Sequence, residues 1–173
     1  THASTNVLCV PVAPYVPAFE VPTIRRVLVA TNFSTAGHDD IRHAFGLVSG
    51  GGEIHVLHVV PAPEPGMNPL VRSMSYLASS VDSEKARAAA QIKLDELLRA
   101  LPDHSNIRVT ATVTIHEHPA AAICEAAEKF GADVICVGSR ERSRGDAGML
   151  GSVAHGVMTR SQRPVLAVPP APL

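Results

Sequence analysis

The sequence predicts an α/β fold, a doubly wound five-stranded parallel sheet with helices on both faces. Three observations carry this. Short runs that are almost wholly apolar recur at Arg26–Thr31, Ile54–Val60, Ala132–Val137 and Val165–Val168, as in strands covered on both faces of a parallel sheet. Between them, apolar residues return at helical spacing. The two patterns alternate, which is the signature of βαβ units with right-handed crossovers.

Each element has its own local reason. After the run Arg26–Thr31, Ser34 is placed to cap a helix whose inner stripe is Ile41, Ala44, Phe45 and Val48. Ile54–Val60 is the second strand. The segment Pro61–Ser80 is rich in Pro, Ser and Met and reads as a long loop or lid. A helix follows over 83–101, with Ala90, Leu94, Leu97, Leu98 and Leu101 on one stripe and Pro102 as its stop. Arg108–Ile115 alternates Thr with apolar residues and is the most strand-like run by β-branching. Pro119 suits a first helical position ahead of Ile123, Ala126, Ala127 and Phe130, and Gly131 suits the position just past the end. Ala132–Val137 is a strand, a last helix spans 152–161, and Val165–Val168 closes the sheet.

Composition narrows the function. At 173 residues and 46% apolar content the chain can bury one core. Its formal net charge is −1, and Arg140, Arg142 and Arg144 form the one local basic cluster, so no nucleic-acid footprint is expected. No apolar run approaches the roughly 20 residues of a membrane helix. The first residues lack a signal-peptide pattern, so a soluble cytoplasmic protein with no membrane partner is expected. Cys9, Cys124 and Cys136 lie far apart in apolar surroundings and read as small buried hydrophobes rather than a disulfide framework.

The two ends of the chain repeat one another. Residues 1–14, THASTNVLCVPVAP, laid without a gap over residues 159–172, TRSQRPVLAVPPAP, are identical at half the positions. Residues 1–23 therefore read as the trailing strand of a preceding, homologous domain plus a linker, and residues 24–173 as the domain proper. Chance likeness of two Val/Pro-rich strands is the plain alternative. The final strand of such a sheet is an edge with unpaired backbone groups, and residues 6–11 are expected to fill it beside residues 165–168, in the same chain or a neighbouring copy.

Doubly wound sheets bind ligands beyond the carboxyl ends of their strands, where strand order reverses. That directs attention to the loops after Thr31 and Val137. Gly138 follows a strand, and Gly151-Ser152 opens a helix whose first amides and dipole suit an anion. Neither a P-loop nor the GxGxxG spacing is present. His116-Glu117-His118 lacks an evident third metal ligand and reads as turn residues. His55 and His58 are expected to face opposite sides of a buried strand, with satisfied core or switch-point roles, and His155 reads as a helix-surface residue rather than a neighbour of bound phosphate. Ser139 reads as a cap or ligand donor, since no GxSxG elbow surrounds it. No catalytic constellation is expected.

From Ile24 to Val168 the sequence resembles the universal stress protein family. The likeness rests on VLVATNFS, IHVLHVVP, PAAAICEAAEKFGADVICVGS and LGSVAHGVMTRSQRPVLAVP. It implies a flavodoxin-like domain, of the adenine nucleotide alpha hydrolase-like type, with strand order 3-2-1-4-5. It also implies ATP binding, with magnesium, through Gly-x-x-Gly, nine residues, then Gly-Ser or Gly-Thr. Gly138, Gly151 and Ser152 stand at matching positions, whereas Glu141 replaces the second glycine, costing room and charge near a phosphate. Arg140 and its neighbours offset that charge if they turn inward; a solvated basic loop is the alternative. Asn32 stands where ATP-binding members carry Asp and keeps an acceptor. By the same resemblance Ala30, Thr31 and Val59 line the adenine side, and Val137 and Val153 flank the phosphates. The implied function is regulation of the stress response through conformation or association, with hydrolysis at most slow. The rival is a dimerisation or partner-docking module that has lost the nucleotide.

Overall fold

The computed structural model describes residues 6–11, 23–33, 35–62, 69–101, 106–139 and 150–169; for 35–39 and 69–81 it describes the backbone alone. Strands β1 (Val7–Cys9), β2 (Arg26–Ala30), β3 (Glu53–Pro61), β4 (Arg108–His116), β5 (Val134–Gly138) and β6 (Val165–Val168) form one sheet in the order β1-β6-β5-β2-β3-β4. The helices are α1 (Thr35–Leu47), α2 (Pro69–Ala100), α3 (Pro119–Phe130) and α4 (Ser152–Arg160). β2 to β6 are parallel to one another in the expected order. The sheet has six strands rather than five, because β1 lies antiparallel on β6.

Side chains alternate even along the buried strands. Val27 and Val29 face a layer formed by Ile41, Ala44, Val48, Ala90, Leu94 and Leu97, so α1 and α2 cover one face. Leu28 faces the other, against Ile123, Ala127, Ala154 and Val157 of α3 and α4. The Asp133 carboxylate accepts from the Arg25 and Arg26 amides at 2.8 and 2.9 Å and sets the entry of β5 beside β2. Gly131 closes α3 at φ 68°, its amide directed at the Ala127 and Glu128 carbonyls, a left-handed end that favours glycine.

One expectation is overturned. The segment read as a loop or lid, Pro61–Ser80, ends β3 at Pro61 and is helical from Pro69, so α2 runs for 32 residues instead of starting at Ser83. Pro69 occupies the first helical position, and no Pro or Gly follows within the helix. Leu70, Met74, Leu77 and Val81 recur at helical spacing; the serines between them hid that period. Ser34 and Pro102 lie outside the described residues. Of the cysteines, Cys136 alone is buried. Burial, with the Asp40 charge adding to it, pushes the Cys136 thiol up to about 12, and burial raises Cys124 too. Both are protonated at neutral pH, which does not suit a nucleophile. Among the described residues no helix is long and apolar enough to cross a membrane.

Candidate functional site

The site begins where strand order reverses. Ala30 at the end of β2 pairs with Val137 on β5, while β3 continues the sheet on the opposite side of β2. A cleft of about 370 Å³ opens beyond these carboxyl ends, within the range of small-ligand sites. Ala30, Thr31 and Asn32 after β2, Val59 on β3, Val137 and Gly138 on β5, and Gly151, Ser152 and Val153 at the start of α4 all line it. Arg140, Glu141, Arg142 and Arg144 lie outside the described residues.

A hydrogen-bonded turn aims the first of these groups. The Thr31 amide donates to the Leu57 carbonyl at 2.9 Å, continuing the sheet one residue past β2. The Thr31 hydroxyl accepts from the Phe33 amide at 3.2 Å, a local turn typical of Thr. Phe33 has φ 57°, uncommon outside glycine, and its ring packs on His58 with centroids 4.3 Å apart. His58 Nδ1 lies 2.7 Å from the Thr31 carbonyl. That contact requires Nδ1 to carry the proton, which leaves Nε2 as an acceptor.

The second wall is the start of α4. The Ser139 amide donates to the Val168 carbonyl at 2.8 Å, and the Ser139 carbonyl accepts from the Gly151 amide at 2.9 Å. Ser139 and Gly151 are thus held against one another. The Gly151 amide is therefore engaged, and the donors that suit an anion lie further into α4. The first helical bond runs from the His155 amide to the Gly151 carbonyl. The amides of Ser152, Val153 and Ala154 precede that ladder and are the donors at the helix entrance.

Comparison with known proteins agrees with this architecture. The model of the universal stress protein family matches residues 23–169. This chain belongs to the universal stress protein family. Universal stress protein G of Shigella flexneri is 31% identical over 133 residues, covering 74% of this chain and 85% of that protein. Among solved structures, hypothetical protein MJ0577 superposes with a TM-score of 0.71 at 22% identity, covering 88% of this chain and all of that one. A universal stress protein in complex with cAMP superposes with a TM-score of 0.53 at 18% identity, covering 87% of this chain and 100% of that one.

Sequence reasoning about this universal stress domain missed one polar group in the cleft, Asp40, and left His58 between a satisfied core and a switch-point role. Asp40 is 2% exposed. Its carboxylate lies 3.2 Å from where a Cβ on Gly138 would stand, so Gly138 makes room for an acid of α1 as well as for any ligand. The available signal was its spacing: Asp40, Ala44 and Val48 fall on one helical stripe, and a carboxylate on a buried stripe calls for a reason. The pairing of His58 with the Thr31 carbonyl is tertiary and has no local sequence signal. His155 is exposed. The His118 amide donates to His116 Nδ1 at 2.9 Å. Among the described residues no group of three or more His, Cys, Asp or Glu is placed to hold a metal.

Burial lowers the affinity of His58 for a proton; the Thr31 carbonyl opposes this and Lys93 adds to it, with a net downward shift. Burial also lowers His55, whose Nδ1 lies 2.8 Å from the Thr110 hydroxyl. Both histidines are neutral in either state well above their ordinary value of about 6.5. Below it the unfolded chain takes up protons that the folded chain resists, so stability falls with pH until the folded-state value is passed. Urea unfolding at stepped pH should show this loss between neutrality and mildly acidic pH, with a shallower slope in His58→Gln. An unchanged slope in that variant contradicts the assignment.

Proposed function

We propose that the cleft binds an adenine nucleotide as its magnesium complex, and that binding regulates conformation or association in a stress response. The supporting observation is the meeting of Ala30, Thr31, Asn32, Val59, Val137, Gly138, Gly151, Ser152 and Val153, drawn from distant parts of the chain, at the switch point of the sheet. The apolar flanks at Ala30 and Val59 suit a base, and Asn32 supplies an acceptor and donors for a ribose or base edge. The amides of Ser152, Val153 and Ala154, with the Ser152 hydroxyl, suit phosphate oxygens. Arg140 supplies charge from the 140–149 segment in this reading. The cAMP complex of a universal stress protein of like fold supports the nucleotide class.

Asp40 bears on the form of the ligand. A buried carboxylate on the cleft wall repels a bare polyphosphate, whereas magnesium, with its preference for carboxylate and phosphate oxygens, offsets that charge.

Thermal unfolding with Mg-ATP, ADP, AMP, cyclic AMP and GTP tests this. At about a hundred times the dissociation constant the ligand adds about 2.7 kcal/mol, or roughly 5–10 °C for a domain of this size. Gly151→Glu, which sets an acid at the helix entrance, should abolish the shift. Absence of a shift with every nucleotide favours the second reading, a docking module without nucleotide, for which Glu141 is the specific observation.

The proposal extends to partners. Residues 1–23 derive from the trailing strand and linker of a preceding homologous domain, and the β6 edge is where a homodimer or a tandem domain joins.

A further inference from the structure

The groups suited to the two ends of a nucleotide stand on different strands of the cleft. The apolar flanks are Val59 on β3 and Ala30 on β2, whereas the helix-entrance amides of Ser152, Val153 and Ala154 belong to α4, which follows β5. β2 lies between β3 and β5, with Ala30 opposite Leu57 on one side and opposite Val137 on the other. A ligand with its base at Val59 and its phosphate at α4 therefore lays its middle, the ribose, across the ends of β2 and β5. Asp40 of α1 reaches the cleft there. It is 2% exposed and lines the cleft with Thr31 and Gly138. A Cβ on Gly138 would stand 3.2 Å from Asp40 Oδ2, so glycine is what lets the end of β5 lie this close to the carboxylate.

A carboxylate accepts hydrogen bonds and donates none. Phosphate oxygens also only accept, so they gain nothing from Asp40 and are repelled by it. An adenine nucleotide donates from two places, the amine at the outer edge of its base and the hydroxyls of its ribose. The hydroxyls alone belong to the middle of the ligand.

We propose that Asp40 reads the sugar: its carboxylate accepts from the vicinal ribose hydroxyls, and the cleft thereby selects adenine ribonucleotides over their deoxy counterparts. The proposal rests on the nucleotide reading above and adds its sugar specificity. In other doubly wound sheets an acidic side chain takes a ribose hydroxyl in the same way. Burial sharpens the selection. A carboxylate shut away from water beneath a sugar that offers it no donor is left without solvation, which costs more than the same loss at an exposed site. Sites built to bond a hydroxyl reject the analogue lacking it for this reason.

Isothermal titration calorimetry of the full chain with Mg-ATP and with the magnesium complex of dideoxy-ATP, which lacks both ribose hydroxyls, tests this. The two ligands carry the same base, charge and metal, so repulsion between Asp40 and phosphate cancels in the ratio of their dissociation constants. That ratio should favour ATP by about tenfold or more, as for hydrogen bonds to a charged group. Asp40→Ala should bring it close to unity whatever its effect on the affinity for ATP. Asp40→Asn, which keeps one neutral acceptor, should fall between. Circular dichroism checks the fold, and Asp40→Asn carries the comparison if Asp40→Ala does not fold. A ratio near unity in the unaltered chain overturns the proposal without recourse to a variant. A preference for ATP that survives in folded Asp40→Ala, or loss of both ligands there, also overturns it, and each of these results leaves the nucleotide reading standing. Failure of the unaltered chain to bind either ligand overturns both.

Discussion

Leu28→Ala should lower the stability of this domain by about 3–4 kcal/mol, in the middle of the range for such core truncations, with an unfolding midpoint roughly 10 °C lower. Leu28 is fully buried on β2, the strand between β3 and β5. It packs in the layer that holds Leu57, Ile123, Ile135 and Val157. Truncation leaves a cavity between sheet and helices that neighbours locked in paired strands close only in part. The nucleotide-dependent shift should persist, because Ala30 and Thr31 are held through backbone pairing with β3 and β5. Urea unfolding measures the effect, and a loss below about 1 kcal/mol, an exposed-site value, contradicts this account of the core.

Gly52→Ala should cost about 3 kcal/mol, the upper end for overpacking, although it adds a single methyl group. A Cβ there would stand 2.4 Å from the Arg25 carbonyl and 2.5 Å from Val48 Cγ1. The Arg25 carbonyl cannot retreat freely, since it accepts from the Glu53 amide at 2.7 Å. Gly52 is itself held, donating to Ser49 and accepting from Arg108, both at 3.0 Å. The site lies at the amino ends of the strands, opposite the cleft, so ligand-dependent stabilisation should again survive. Thermal unfolding of this variant with and without Mg-ATP separates global stability from the site. A shift in melting below about 2 °C would mean that the loop around residues 49–52 relaxes more readily than its hydrogen bonds imply.

That β2, β3, β5 and β6 are strands of a parallel sheet was legible because each is a compact apolar run between helical stripes, and such runs bury both faces, while β4 was read from its β-branched alternation. Pro119 and Gly131 marked the ends of α3 because each acts through its own backbone geometry. Position along the chain pointed to the loops after Thr31 and Val137, where strands give way to helices, and the family likeness named Ala30, Asn32 and Val137 there. The first half of α2 was misread, its helical period being carried by residues that local composition assigns to loops.

The sequence by itself determined the α/β class, the strand order through its family likeness, the repeated end strands and the location of the cleft, because hydrophobic period, proline, glycine and junction position act locally. Only the tertiary structure decided that β1 lies antiparallel on β6 with Leu8 against Leu166, that the Gly151 amide is taken by the Ser139 carbonyl, and that Asp40 and His58 enter the cleft. These depend on which groups from distant segments reach hydrogen-bonding or packing distance, and that is set by register and by the approach of α1 and α4 to the sheet.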